Sequence, residues 1–160
     1  MYLHGGVIPA CGTFFVFSDY MKPAARMAAL MEVPIKFIWT HDAFRVGEDG
    51  PTHEPVEQEA QIRLMEKLKN HHGKDSIRVF RPADADETTV CWAMAMENME
   101  TPTALIFSRQ NIAKLPAGTD YSQARKGAYI VAGSDDDFDV ILLASGSEVS
   151  TLVSGAELLK

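Results

Sequence analysis

Residues 41 to 55 read His-Asp-Ala-Phe-Arg-Val-Gly-Glu-Asp-Gly-Pro-Thr-His-Glu-Pro, so fifteen positions carry two histidines, four carboxylates and an arginine. His41 and His53 can exchange protons near neutral pH, and neighbouring carboxylates such as Asp49 can orient them. His53 could equally be a capping or surface histidine. Arg109, in Ser108-Arg109-Gln110-Asn111, offers a planar fork suited to a carboxylate or phosphate. It could equally pair with a carboxylate of the 42–54 loop. Thr13 to Tyr20 places Phe14, Phe17 and Tyr20 three residues apart, one aromatic stripe on a helical turn. Such a stripe ordinarily packs in a core, and its other use is a stacking platform for a flat heteroaromatic ring. Gly5-Gly6 and Gly47-x-x-Gly50 match neither the P-loop nor the dinucleotide fingerprint. His71-His72, adjacent on a polar connection, lack metal-ligand spacing, and no residue is assigned to a metal.

Those side chains need elements to position them. Four short apolar runs, at 36–39, 76–80, 103–107 and 140–144, are β-branched or aromatic without clean alternation, as expected of strands covered on both faces of a parallel sheet. Three of them end in polar groups: Thr40-His41-Asp42, Arg81-Pro82-Ala83-Asp84 and Ser108-Arg109. Ligands of open parallel sheets bind outside such carboxyl ends, so His41, its loop and Arg109 could face one crevice. Helices are expected over 19–31, with Met27, Leu30 and Met31 on the apolar face. A second is expected over 55–69, with Val56, Ala60, Leu64, Met65 and Leu68 inward. A third follows the capping box Asp84/Glu87 and ends near Asn98. Residues 127–132 and 138–143 flank an acidic turn and read as a hairpin. Val149, Leu152, Val153 and Ala156 recur at helical spacing.

The chain has 160 residues, formal net charge −7 and 46% hydrophobic residues, which suits one domain or one domain plus a piece of another. No basic stripe is available for phosphate neutralisation, which argues against nucleic acid. No stretch approaches the roughly 20 apolar residues needed to span a bilayer, so no membrane partner is expected. Two cysteines make neither a disulfide framework nor a four-ligand zinc site, and a cytoplasmic setting is expected.

The sequence resembles transketolase. The phrases that carry the match are LHGG (3–6), TFFVFSDY (13–20), RMAALM (26–31), THD (40–42), GEDGPTHEPVEQ (47–58), RPAD (81–84), PTALIFSRQN (102–111) and ASGSEV (144–149). GEDGPTH also occurs in deoxyxylulose-phosphate synthase, whereas PVEQ with SRQN points to transketolase. Dihydroxyacetone synthase is a close relative, and a non-catalytic half of a split enzyme is a further alternative. The resemblance implies an α/β fold, a parallel sheet with helices on both faces. It implies a pyrimidine-binding domain over 1–112 lacking its amino-terminal part, a linker and hairpin over 113–137, and the first strand and helix of a second α/β domain over 138–160. It implies transfer of a two-carbon ketol unit between sugar phosphates, in the pentose phosphate pathway, with thiamine diphosphate as cofactor. Phe14, Phe17 and Tyr20 align with aromatics that pack on its aminopyrimidine ring. His53 and His41 align with catalytic histidines, and His41, Asp49, His53 and Arg109 with substrate-binding residues. The family's Mg2+ or Ca2+ ligands, its activating glutamate and its diphosphate-binding domain are expected upstream of this sequence. The family is a homodimer whose site is completed by the other subunit, so the chain is expected to be inactive alone.

Overall fold

The computed structural model describes residues 1–43, 45–133 and 138–159. Four strands, β1 (Ala10–Phe14), β2 (Lys36–Thr40), β3 (Arg78–Phe80) and β4 (Thr103–Ile106), form one parallel sheet in the order β1-β2-β4-β3. Helices α1 (Ser18–Leu30), α2 (Gln58–Glu66) and α3 (Ala85–Glu97) connect them, and α4 (Glu148–Ala156) follows. Side chains alternate across a strand. Phe37, Trp39, Val79, Ala104 and Ile106 therefore share one face, packed with Phe15, Ala25, Ala28 and Ile62 under α1 and α2. Leu105 and Phe80 meet Cys91, Ala95 and Trp92 of α3 on the other face. Every residue of β4 is buried. The expected parallel sheet with helices on both faces is what forms.

Several elements differ from expectation. β1 was not foreseen, because Ala10-Cys11-Gly12-Thr13 carries no bulky apolar pattern. Its Gly12 allows a close approach to β2, where a Cβ would stand 2.7 Å from the Ile38 carbonyl oxygen. The aromatic stripe is accordingly not one helical turn. Phe14 ends β1, Phe17 closes a 3-10 turn (Phe15–Phe17), and Tyr20 lies in α1. α1 buries Ala25, Ala28 and Ala29 and leaves Met27, Leu30 and Met31 outside. Small residues let the helix settle close to Phe15 and Trp39. α2 begins at Gln58, with Ile62 inward and Val56, Leu64 and Leu68 exposed. The hairpin and the strand at 140–144 are not formed. Residues 127–133 and 138–147 carry no strand, and the turn residues 134–137 lie outside the described residues. Ile130 and Val140 to Leu143 are exposed with no neighbouring strand, and a lone strand has no ladder to stabilise it. Among the described residues no helix is long and apolar enough to cross a membrane.

Candidate active site

Parallel pairing sets Phe14 of β1 opposite Thr40 of β2, so both strands end at the same level. His41 comes next, with φ 59°, a left-handed conformation that costs a branched L residue on the order of 1–2 kcal/mol. That backbone turns its imidazole flat onto Phe14, with ring centroids 3.7 Å apart and planes 22° from parallel. Thr40 Oγ1 lies 3.0 Å from His41 Nδ1.

The loop after His41 is pinned at three points. Val46 is fully buried. The His53 N–H donates to the Gly50 carbonyl at 3.0 Å, closing the turn in which Gly50 takes φ 80°. Buried Gln58 then accepts from the Val56 N–H at 2.8 Å and donates to Asp19 Oδ2 of α1 at 3.0 Å. The loop is thereby folded back over the start of α1. His53 arrives edge-on to Phe17, with centroids 5.1 Å apart at 77°, and to Phe14 at 6.0 Å and 64°. Thr52 Oγ1 holds its Nδ1 at 2.9 Å, which leaves Nε2 available to a substrate. Phe14 and Phe17 lie 6.1 Å apart and nearly parallel, and Tyr20, largely exposed, extends the row at 6.1 Å from Phe17.

The five rings expected to act together thus form one connected cluster at the carboxyl ends of β1 and β2. Arg109 joins through the loop. Its guanidinium lies against Gly47, where a Cβ would stand 3.0 Å from Cζ. Among the described residues no carboxylate pairs with it, so the expected alternative of an ion pair with the 42–54 loop is not realised. Asp49 sits on an exposed turn of the same loop.

The sequence placed Arg81 at a strand end and in the RPAD phrase but gave it no role. Its guanidinium, 7% exposed, reaches Asp42, Glu59 and Glu148 at 2.8, 3.4 and 2.5 Å. Burial disfavours its charge, yet the three carboxylates outweigh that and hold the guanidinium more firmly protonated than usual. Nothing local marks its partners, which lie 39, 22 and 67 positions away along the chain.

Residues 1–114 match the family model of the transketolase pyrimidine-binding domain. The chain belongs to this transketolase family. It is 49% identical to the transketolase of Halalkalibacterium halodurans across 100% of its own length and 23% of that relative's. A Leishmania mexicana transketolase structure superposes with a TM-score of 0.86 at 41% identity, over 98% of this chain and 22% of that one. A Pichia stipitis transketolase solved with sedoheptulose-7-phosphate gives 0.81 at 39% identity, over 94% and 21%. The chain therefore spans under a quarter of the length of these transketolases.

Proposed function

We propose that this chain supplies the pyrimidine-facing and sugar-facing wall of a transketolase active site, where a two-carbon ketol unit passes from a ketose phosphate to an aldose phosphate. The observation carrying the reading is the single cluster of Phe14, Phe17, His41 and His53 rings. Half-buried Phe17 and exposed Tyr20 fit the flat aminopyrimidine ring of thiamine diphosphate by stacking, with Phe14 bracing them from behind. When bound, that cofactor supplies the electron sink for the carbanion.

This chain's own groups manage protons and position. His53 Nε2 takes and returns the proton of a donor-sugar hydroxyl, its ring oriented by the Thr52 hydroxyl at Nδ1. His41 and Arg109 hold a phosphate or hydroxyl through charge-assisted hydrogen bonds. Asp49 recognises a substrate hydroxyl. Among the described residues no group of three or more His, Cys, Asp or Glu is arranged to hold a metal ion. The reading assigns the diphosphate and its Mg2+ or Ca2+ to residues of another domain, contributed by the second subunit of a homodimer. It divides the chain into a pyrimidine-binding unit over 1–112, a linker over 113–137 and the opening of a further domain from 138. It places the reaction in the cytoplasm, on the pentose phosphate pathway, a setting that both free thiols suit.

The test is a chimera in which this chain replaces its counterpart in the Halalkalibacterium halodurans transketolase. Ketol transfer should survive. His53→Ala should lower kcat by about 10²–10⁴-fold, and Arg109→Ala should raise KM for phosphorylated substrates while sparing kcat. A folded, cofactor-loaded chimera without turnover would overturn the reading.

A further inference from the structure

We propose that Arg81 is a positioning residue that couples the seating of residues 145–149 to the orientation of the His41 imidazole. Asp42 follows His41 directly, and its carboxylate is 1% exposed. Its Oδ2 accepts from Arg81 Nε at 3.0 Å and lies 2.8 Å from Nη2, while its Oδ1 has no partner among the described residues. A carboxylate so placed is tolerable only while a cation grips it. The 41–42 backbone, held left-handed at His41, is therefore anchored through Arg81.

The opposite side of the same guanidinium faces a distant part of the chain. Nη1 donates to the Ser145 carbonyl and to Ser145 Oγ, both at 3.2 Å, and Nη2 pairs with Glu148 at the start of α4. The Gly146 N–H donates to the Arg81 carbonyl at 3.1 Å. Gly146 has φ 59°, and a Cβ on it would stand 2.7 Å from Arg81 Nε and 2.8 Å from Cγ. The 145–149 segment thus lies flat on the side chain that holds Asp42, and it cannot be displaced or enlarged without moving that side chain. Glu59 of α2 adds a third carboxylate at 3.4 Å, so the guanidinium is shared among three elements and any one can draw it from the others.

The functional consequence rests on His41 being a substrate-binding residue; the geometric one does not. Histidine-labelled chain is followed by NMR, with His41 assigned through His41→Gln. Because its ring lies over the Phe14 face, its proton signals should be displaced upfield. Gly146→Ala and Arg81→Lys should each abolish that displacement, whereas His53, edge-on to Phe17, should keep its signals. A residue that merely fastened the segment would leave His41 untouched. If Arg81→Lys loses its folded amide dispersion, two other variants decide the matter. Gly146→Ala adds a methyl that displaces Arg81 Nε from Asp42. Glu148→Gln weakens the grip of α4 on Nη2 and leaves both members of the Arg81–Asp42 pair in place. A moved His41 supports the coupling and an unmoved one overturns it. No cofactor or sugar enters this measurement, so its outcome is independent of the ketol-transfer chimera.

Discussion

Lys36 opens β2 with its side chain inside the protein, 1% exposed, and its Nζ donates to the Asn98 carbonyl at the end of α3 at 2.9 Å. Burial first, and the neighbouring Arg78 charge second, bring its pKa from 10.5 down to about 8. Below pH 8 the ammonium is charged in folded and unfolded chains alike, and folding bears the full cost of burying it. Between about 8 and 10.5 the unfolded chain still holds the proton that the folded one has released, so stability rises with pH, by on the order of 3 kcal/mol at most. Lys36→Met should abolish that rise. Denaturant unfolding of both proteins at pH 7.5, 9 and 10 should show the parent gaining on the variant, and a constant difference would refute it. Cys91, raised to about 12 by burial and then by Glu87, acts in the opposite direction above pH 9 but equally in both proteins. Residues like these separate what was legible from what was not. His41, His53 and the three aromatics could be singled out because rare, reactive types crowd short stretches. Arg81 could not, because its environment is assembled from positions 42, 59, 145 and 148, which only the crossovers bring together.

α3 shows the same division among elements. Its start was readable, since Asp84 and Glu87 have capping-box spacing. Asp84 Oδ1 accepts the Glu87 N–H at 2.9 Å and Glu87 Oε2 accepts the Ala83 N–H. Its second duty was hidden: Oδ2 accepts the Leu115 N–H at 2.9 Å and the Tyr121 hydroxyl at 2.6 Å, fastening the 113–126 segment to the helix. Burial pushes the Asp84 carboxyl upward, but the Glu87 and Leu115 N–H groups, the Tyr121 hydroxyl and the Asp86 N–H together hold it below its ordinary 3.8. Its stabilisation is therefore complete above that pH and fades as acid brings the pH down through the folded value. Asp84→Ala removes the cap, about 1 kcal/mol, and leaves buried donors unpaired at about 1–3 kcal/mol more. Urea unfolding should register a loss of about 2–4 kcal/mol, and limited proteolysis should cut first within 113–126. A variant that unfolds at the parent's midpoint would contradict the double role. Strands were harder to read than helices for a related reason. β1 is a strand because β2 lies beside it, and 140–144, more apolar than β1, is not one because nothing in the described chain pairs with it.

At the scale of the whole molecule the surface is unfinished in two places. β1 is paired along one edge only, with Ala10 and Cys11 exposed, and such an edge is a template for another chain. On α1, Met27, Leu30 and Met31 stand 54%, 58% and 46% exposed at positions three and four apart, a continuous apolar stripe on a rigid helix. Val140 to Leu143 are also exposed, but along irregular backbone that offers a partner no fixed shape. Apolar area on a regular element should dominate association, because burying it orders little further chain. The prediction is that this chain self-associates at micromolar concentration and that the α1 stripe is responsible. Sedimentation velocity across a hundredfold dilution should show the parent moving between monomer and a larger species. Met27→Lys with Leu30→Glu should hold it monomeric with its circular dichroism unchanged, while serines at Ile141 and Leu143 should leave the association in place. A parent that is monomeric throughout would mean that the stripe is merely tolerated. Association abolished by the 141/143 serines instead would move the interface to the carboxyl-terminal segment.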